Sequence, residues 1–270
     1  MSALAGPLQA IFVKPVQAMG RGALRAVTAT GRSGYLAVDA VQALRKVDLW
    51  GPHLLTQMAR IGVESVPIAL FIATFTGIVL ALQASYTFTG AMPLYFVGTL
   101  VGKTMILELG PVLTGLALAG RVGANISAEL GTMRVTEQID ALETLAYDPV
   151  AYLVVPRVLA GAIMFPVVVM LANAIGIFAG WGTSLWLLDM SSQEFIKGLR
   201  ILFVPWDVQF SMIKSVSFGI TVTAVGCSFG YQTRGGAEGV GRAATSAVVV
   251  ATMIILALDA FWAATLLEAY

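Results

Sequence analysis

The chain contains 270 residues, of which 58% are hydrophobic and only 11% are charged, whereas about 25% of residues are charged in an ordinary soluble domain. This composition excludes a soluble enzyme, and the net charge of +1 gives no indication of nucleic-acid binding. A single cysteine, Cys227, and a single histidine, His53, exclude a disulfide framework and a metal site built from these residue types. The sequence therefore predicts an all-α integral membrane protein.

The first predicted element is an amphipathic helix over residues 34–60, which follows an N-terminal cytoplasmic segment over 1–33. Apolar and small side chains recur along one face of this helix: Leu36, Ala40, Ala43, Leu44, Val47 and Trp50. Charged side chains occupy the opposite face, as in helices that lie at the membrane–water interface. The alternative is a helix packed against other protein. The segment 1–33 has no apolar run long enough for a signal peptide.

Five transmembrane helices are predicted from the distances between charged residues, because a helix needs about 20 apolar residues to cross a membrane. No charged residue occurs between Glu64 and Lys103, between Arg157 and Asp189, or between Lys214 and Arg234. The first of these stretches is long enough for one crossing, a turn near 89–93 and the start of a second crossing. The predicted spans are about 63–87, 94–119, 153–187, 208–231 and 242–267.

The orientation in the membrane is predicted from the basic residues, which are enriched in cytoplasmic segments. With the N-terminus in the cytoplasm, the segments 1–62, 120–157 and 232–242 hold all of the 16 basic residues except Lys103, Lys197, Arg200 and Lys214. Five spans then place the C-terminus on the opposite, outer side of the membrane.

Two glycine-containing strings resemble nucleotide-binding motifs, but both lie in the wrong context. The string Gly98–Thr104 lacks the first glycine of a phosphate loop at the required spacing and falls inside a predicted span. The glycines between 235 and 241 follow a membrane helix rather than a strand. Because the chain also offers no Ser/His/Asp arrangement, we expect no catalytic centre and no bound cofactor.

The largest cytoplasmic loop is predicted to contain a helix over about 125–146. Its apolar and acidic side chains share one stripe: Ile126, Leu130, Met133, Glu137 and Asp140. The pair Asp148-Pro149 ends the helix, because the residue before a proline disfavours the helical conformation. A helix that is apolar on one side and acidic at its tip can dock another protein, as a transporter driven by a separate ATPase requires.

Several strings around and after this loop resemble one protein family. They are Glu108-Leu-Gly-Pro111, Ala119-Gly-Arg-Val-Gly123, the run Ala128–Asp140, Asp148-Pro149, Val155-Pro-Arg157, and later Gly230-Tyr231 and Gly241-Arg-Ala-Ala-Thr245. From about Ile61 to its end, the chain closely resembles the MlaE/YrbE family. These proteins are permeases of bacterial lipid ABC transporters that work with MCE proteins, and they have relatives in chloroplasts.

The resemblance implies a permease domain over 61–270, with an interfacial helix before the five spans and the coupling helix between the second and third. It implies a homodimer in the bacterial inner membrane, bound to cytoplasmic ABC ATPase subunits that grip the coupling helix and hydrolyse the ATP. A ring of MCE proteins is expected on the periplasmic side. Phospholipid is expected to pass between this ring and a cavity at the dimer axis, in support of outer-membrane lipid asymmetry.

The resemblance also suggests a lipid pocket. One stripe of the first span is expected to line its acyl-chain part: Leu80, Gln83, Ala84, Thr87 and Phe88. The alternative for this stripe is ordinary packing between helices. Glu108 is expected to face the cavity or a partner, because an ionised side chain is costly within the membrane, and its alternative is a buried carboxyl bonded to neighbouring helices. Leu107 replaces the arginine that many relatives carry before this glutamate, which argues against an arginine–headgroup contact.

Two further sets of residues are assigned by the same resemblance. Asp207 and Lys214 match positions at the outer part of the cavity, with a surface pair or a snorkelling lysine as the alternative. The predicted ATPase contacts in the loop are Glu129, Arg134, Glu137, Gln138 and Asp140. Asp259, in the last span, is expected to pair with polar groups of a neighbouring helix.

The leading hypothesis is therefore a permease subunit without enzymatic activity of its own. One alternative is a secondary transporter that couples transport to ions through Glu108, Lys103 and Asp259. Another is a membrane scaffold that transports nothing. A dependence on an ATPase partner distinguishes the first hypothesis from the other two.

Overall fold

The computed structural model describes residues 28, 31–88, 93–188 and 190–266. These residues are almost entirely helical, and none of them belongs to a β-strand. Five helical stretches are long and apolar enough to cross a membrane: Val47–Thr87, Phe96–Val135, Val150–Leu187, Pro205–Tyr231 and Gly236–Thr265. The chain is therefore a multi-pass membrane protein, and the predicted all-α fold with five spans is confirmed.

The segment predicted as one amphipathic helix over 34–60 contains two helices. Helix α1 covers 31–43, and α2 covers Val47–Ile61. They are separate because the backbone of Lys46 leaves the helical region, with φ −91° and ψ 60°. Helix α1 belongs to a first compact unit, Met1–Arg45, and α2 begins the second, Lys46–Tyr270. Most of the predicted segment 1–33 lies outside the described residues.

The first two membrane-crossing stretches extend beyond their predicted spans. In the first, a single 3₁₀ turn joins α2 to α3 (Val66–Thr87). The second contains α4 (Phe96–Thr104), α5 (Gly110–Leu118) and α6 (Ala124–Val135), joined by π-helical turns over Met105–Leu109 and Ala119–Gly123. The second span and the first half of the predicted loop helix are thus one continuous helix. The short helix α7 (Gln138–Thr144) follows it.

The remaining helices complete an antiparallel bundle. A π-helical turn over Val150–Val154 leads into α8 (Val155–Leu187), which is followed by α9 (Ser192–Ile201), α10 (Pro205–Tyr231) and α11 (Gly236–Leu266). The bundle has two ends, which we call the α7 end and the α9 end after the short helix that each one carries.

Helix α9 lies between the predicted spans 153–187 and 208–231, where no helix was predicted. Ser191 caps it, because the Ser191 hydroxyl accepts a bond from the Glu194 amide while the Ser191 amide donates to the Glu194 carboxylate. The bond from the Ser191 amide holds the pKa of the Glu194 carboxyl below its usual value. The spacing of this serine and glutamate is the sequence signal that identifies the helix start.

The spans pack closely at glycines, because membrane helices associate through van der Waals contact between close backbones. A Cβ atom on Gly77 of α3 would overlap the carbonyl oxygen of Gly176 of α8. A Cβ atom on Gly219 of α10 would similarly overlap the carbonyl oxygen of Gly161 of α8. Helix α8 is therefore in backbone contact with two other spans.

Candidate functional site

A cluster of charged side chains joins three spans in the interior of the bundle. Lys214 of α10 is fully buried, and its ammonium nitrogen lies 2.8 Å from a carboxylate oxygen of Glu108. The same ammonium forms an ion pair with Asp259 of α11 and donates to the carbonyl oxygen of Leu107 at 3.1 Å. The second, fourth and fifth spans are therefore tied together by one lysine.

The cluster reaches the surface of the chain through Glu108. The Glu108 side chain is 44% exposed, whereas the Lys214 side chain is 0% and the Asp259 side chain 13% exposed. The ammonium also lies 4.9 Å from the centre of the Phe210 ring. An exposed carboxylate at membrane depth requires a polar ligand, water or another protein chain as its neighbour.

A second ion pair lies two helical turns away along α10, towards the α9 end. Lys103 of α4 and the buried Asp207 are 3.0 Å apart, and Asp207 also accepts a bond from the Val204 amide. The suggested surface pair of Asp207 with Lys214, and the snorkelling lysine, are wrong. Lys214 is buried and pairs elsewhere, while Asp207 pairs with Lys103.

The five residues predicted as one lipid-facing stripe divide into two sets. Leu80 and Ala84 are 8% and 1% exposed and belong to an apolar core cluster of the same chain, against which Phe88 also packs. Gln83 and Thr87 are exposed. The prediction of a lipid contact is therefore corrected for Leu80 and Ala84, because other helices of the chain already cover their side chains.

The predicted acidic stripe of the loop helix is interrupted at Glu137. This residue adopts the left-handed conformation, with φ 61°, and separates α6 from α7. Glu137 and Asp140 consequently do not share the face of one continuous helix, which corrects that prediction. Asp140 instead forms an ion pair with Arg134 at 2.5 Å.

Helix α7 is held against the bundle on one side only. Ile139 is fully buried, and the hydroxyl of Tyr231 donates to the Glu143 carboxylate at 3.4 Å. Several side chains on and beside this helix are exposed: Glu137, Gln138, Asp140, Leu145 and Tyr147. The element thus presents both acidic and apolar groups at the α7 end.

Glu129, predicted as an ATPase contact, takes part in a network within the chain. It pairs with Arg60 at 3.3 Å and with the buried Arg157 at 2.9 Å. Nearby, Arg121 pairs with Glu64 at 2.9 Å. Arg60, Glu64, Arg121 and Glu129 also line a cleft of about 270 Å³ between the first and second spans. Neither the charge pattern nor the family strings that contain Arg121 and Arg157 indicate which carboxylates pair with these arginines.

Asp148 ends the α7 region and starts the next span. Its carboxylate pairs with Lys46 at 2.8 Å and accepts bonds from the amides of Val150 and Ala151 at 2.9 and 3.2 Å. Burial raises the pKa of the Asp148 carboxyl, but these hydrogen bonds outweigh it and bring the pKa below its usual value.

Comparison with known proteins places the chain among membrane permeases. The sequence model of a family described as Permease MlaE matches residues 54–265. A probable ABC transporter permease of Rickettsia prowazekii is 37% identical over 246 residues, covering 91% of this chain and 95% of the relative. The intermembrane phospholipid transport system permease protein MlaE of Haemophilus influenzae is 34% identical over 253 residues, covering 92% and 96%. The chloroplastic protein TRIGALACTOSYLDIACYLGLYCEROL 1 of Arabidopsis thaliana is 34% identical over 224 residues, covering 83% and 64%.

Proposed function

The chain belongs to the MlaE permease family, and we propose that it is the membrane-spanning subunit of an ABC transporter that moves phospholipid. The observation that carries this proposal is the charged cluster that opens at Glu108 among membrane-spanning helices. Part of the Glu108 side chain stays exposed beside its ion pair with Lys214 and needs a further polar neighbour at this depth, which an amine or hydroxyl of a phospholipid headgroup supplies within the membrane. The Haemophilus relative is named an intermembrane phospholipid transport permease, which supports the same substrate class.

The proposed assembly contains two copies of the chain in the bacterial inner membrane, with the N-terminus in the cytoplasm and the C-terminus in the periplasm. ABC ATPase subunits bind at the α7 end and carry the ATP, so that this subunit needs neither a cofactor nor catalytic residues. An MCE protein binds at the α9 end and exchanges phospholipid with the cavity, in support of outer-membrane lipid asymmetry. The basic residues near the α7 end support this orientation.

Within this assembly, we place the lipid path along the exposed polar side chains rather than along the whole predicted stripe. Gln83 and Thr87 remain exposed in the outer half of the first span. The Thr87 hydroxyl donates to the Gln83 carbonyl at 2.8 Å, which satisfies it without a ligand. The amide of Gln83 is therefore the stronger candidate for a contact with lipid.

A reconstitution experiment tests the function. The chain and its ATPase and MCE partners are placed in liposomes with a fluorescent phospholipid, and the transfer of this lipid to or from the MCE protein is followed. We expect transfer that requires ATP hydrolysis and is unaffected by collapse of ion gradients. Transfer that requires a proton or sodium gradient but no ATP would support the ion-coupled secondary transporter instead.

A photo-crosslinking residue at position 83 is expected to capture phospholipid during this transport. The same residue at position 84 serves as the matched control, because Ala84 is buried inside the chain. It is expected to crosslink to neighbouring helices, since successive residues of a helix are turned by about 100°. Equal lipid capture at both positions would contradict a lipid path along Gln83.

A charge reversal tests the proposed ATPase contact at α7. Glu137→Lys is expected to weaken binding of the ATPase at least tenfold, or about 1.4 kcal/mol, because an exposed acidic group at the contact becomes basic. Binding is measured with purified subunits at two salt concentrations. The control is Glu238→Lys, which reverses an exposed charge on α11. Equal binding by the wild type and Glu137→Lys would exclude Glu137 from the contact.

A further inference from the structure

The backbone of the second span is irregular beside the charged cluster. At the π-helical turn over Met105–Leu109, the amide of Gly110 donates to the carbonyl of Met105, five residues earlier. The next residue is Pro111, which has no amide hydrogen. The carbonyl of Leu107 therefore lacks the donor that residue 111 would supply in a regular α-helix. An unsatisfied carbonyl is unfavourable within a membrane, because no water is present there to replace the missing donor.

Lys214 supplies a donor to this carbonyl. Its ammonium nitrogen lies 3.1 Å from the Leu107 oxygen, and it also bonds to Glu108 and pairs with Asp259. Of these three partners, the Leu107 carbonyl and the Glu108 carboxylate accept hydrogen bonds from the ammonium, and Asp259 forms the ion pair. Two of the three are consecutive residues of the π-helical turn, and the third is on another span.

Close packing around the turn leaves it little freedom while these bonds persist. A Cβ atom on Gly110 would overlap the side-chain oxygen of Asn173 on α8. The amide nitrogen of Asn173 in turn donates to the hydroxyl of Ser211 on α10, one helical turn before Lys214. The turn is thus bounded by α8 on one side and by Lys214 on another.

We propose that Lys214 is a positioning residue that holds the π-helical turn of the second span in one conformation. Residues 105–111 then form a hinge that cannot bend while the bonds from Lys214, which we call the lock, persist. The hinge lies between α4, at the α9 end, and α5, which continues towards the α7 end. Because Glu108 is partly exposed and Lys214 is buried, a cationic or hydrogen-bond-donating ligand reaches the carboxylate first and weakens the lock by competing for Glu108. The inference rests on contacts within one chain and stands whether or not phospholipid is the substrate.

Hydrogen–deuterium exchange of the purified protein in lipid nanodiscs tests the lock. Lys214→Met alone leaves two unpaired carboxylates, so the lock is removed with the neutral variant Lys214→Met/Glu108→Gln/Asp259→Asn. Amide exchange over 105–112 is expected to rise at least tenfold in this variant. Unchanged exchange there would overturn the proposal.

Pro111→Ala separates the lock from a general role of the ion pairs. This substitution introduces an amide that can bond the Leu107 carbonyl. When the neutral variant also carries Pro111→Ala, it is therefore expected to raise exchange less than threefold. Pro111→Ala alone is expected to slow exchange over 105–112 at least twofold, a measurement that holds even if the neutral variant does not fold. A tenfold rise with either residue at position 111 would show that Lys214 only stabilises the bundle, and would overturn the proposal.

The other intramembrane ion pair provides a matched control. Lys103→Met/Asp207→Asn removes the pair between α4 and α10 without touching the π-helical turn. This double variant is expected to raise amide exchange near residues 103 and 207. The rise is expected to be equally large whether residue 111 is proline or alanine. A dependence on residue 111 as strong as that of the Lys214 variant would contradict a specific lock.

Discussion

Gly77→Ala is expected to destabilise the protein by about 3 kcal/mol, the upper part of the usual range for overpacking. The added methyl group would overlap the carbonyl oxygen of Gly176. This obstacle is backbone, which cannot rotate away as a side chain can, so the first and third spans must separate. Their close contact also involves the small residues Ala73 and Gly180, so the separation weakens packing beyond the single methyl group.

The same substitution at Gly182 provides the control. Gly182 lies on α8, and nothing would contact a Cβ atom there within 4 Å. Alanine is favoured over glycine within a helix by about 1 kcal/mol, so Gly182→Ala is expected to raise stability slightly. Both variants are unfolded with sodium dodecyl sulfate in mixed micelles, and helicity is followed. Equal midpoints for Gly77→Ala and the wild type would show that the spans are not in backbone contact.

The second large effect is expected at Arg157. Removing one partner of a buried ion pair costs about 3–5 kcal/mol, and Arg157 is 3% exposed, pairs with Glu129 and donates to the Leu153 carbonyl at 2.6 Å. Glu129 is 43% exposed and keeps Arg60 as a partner, so water and Arg60 compensate part of the loss. Arg157→Met is therefore expected to cost about 3 kcal/mol, at the lower end of that range.

Arg242→Met is the control for this prediction. Arg242 pairs with Glu238 one helical turn away, and both side chains are mostly exposed. Surface pairs of this kind contribute less than about 0.5 kcal/mol. The two variants are compared in the same unfolding experiment at low and high salt. A loss at Arg157 no larger than that at Arg242 would mean that the buried network does not hold the spans together.

The fold was predictable to the extent that it depends on where charges are absent. Long uncharged stretches identify spans because the membrane excludes charge. The break at Glu137 was not predictable in this way, since a glutamate in the left-handed conformation has no local sequence signal. Periodicity shows that Leu80 and Gln83 are neighbours on one helix, but not that other helices cover Leu80 and leave Gln83 exposed.

The candidate site was predictable in its members and not in their pairing. A charged residue inside a span indicates a partner or a cavity, which identified Glu108, whereas Lys214 was assigned by the family resemblance and Asp259 was expected to pair with a neighbouring helix. Which of them meet depends on how the second, fourth and fifth spans are rotated about their axes. Helix rotation is fixed by packing over the whole bundle, as at Gly161 and Gly219, and is not encoded near the charges themselves.

Because the helix Phe96–Val135 continues without a break, a movement at one end of the second span is transmitted to its other end. Its 40 residues correspond to about 60 Å at 1.5 Å per residue, with Glu108 roughly one third of the way from its α9 end. A tilt of about 10° around one end would displace the other end by about 10 Å. A force applied beside α7 would therefore be transmitted to Glu108 along one helix. The two π-helical turns are the positions where this helix can bend instead of moving as a whole.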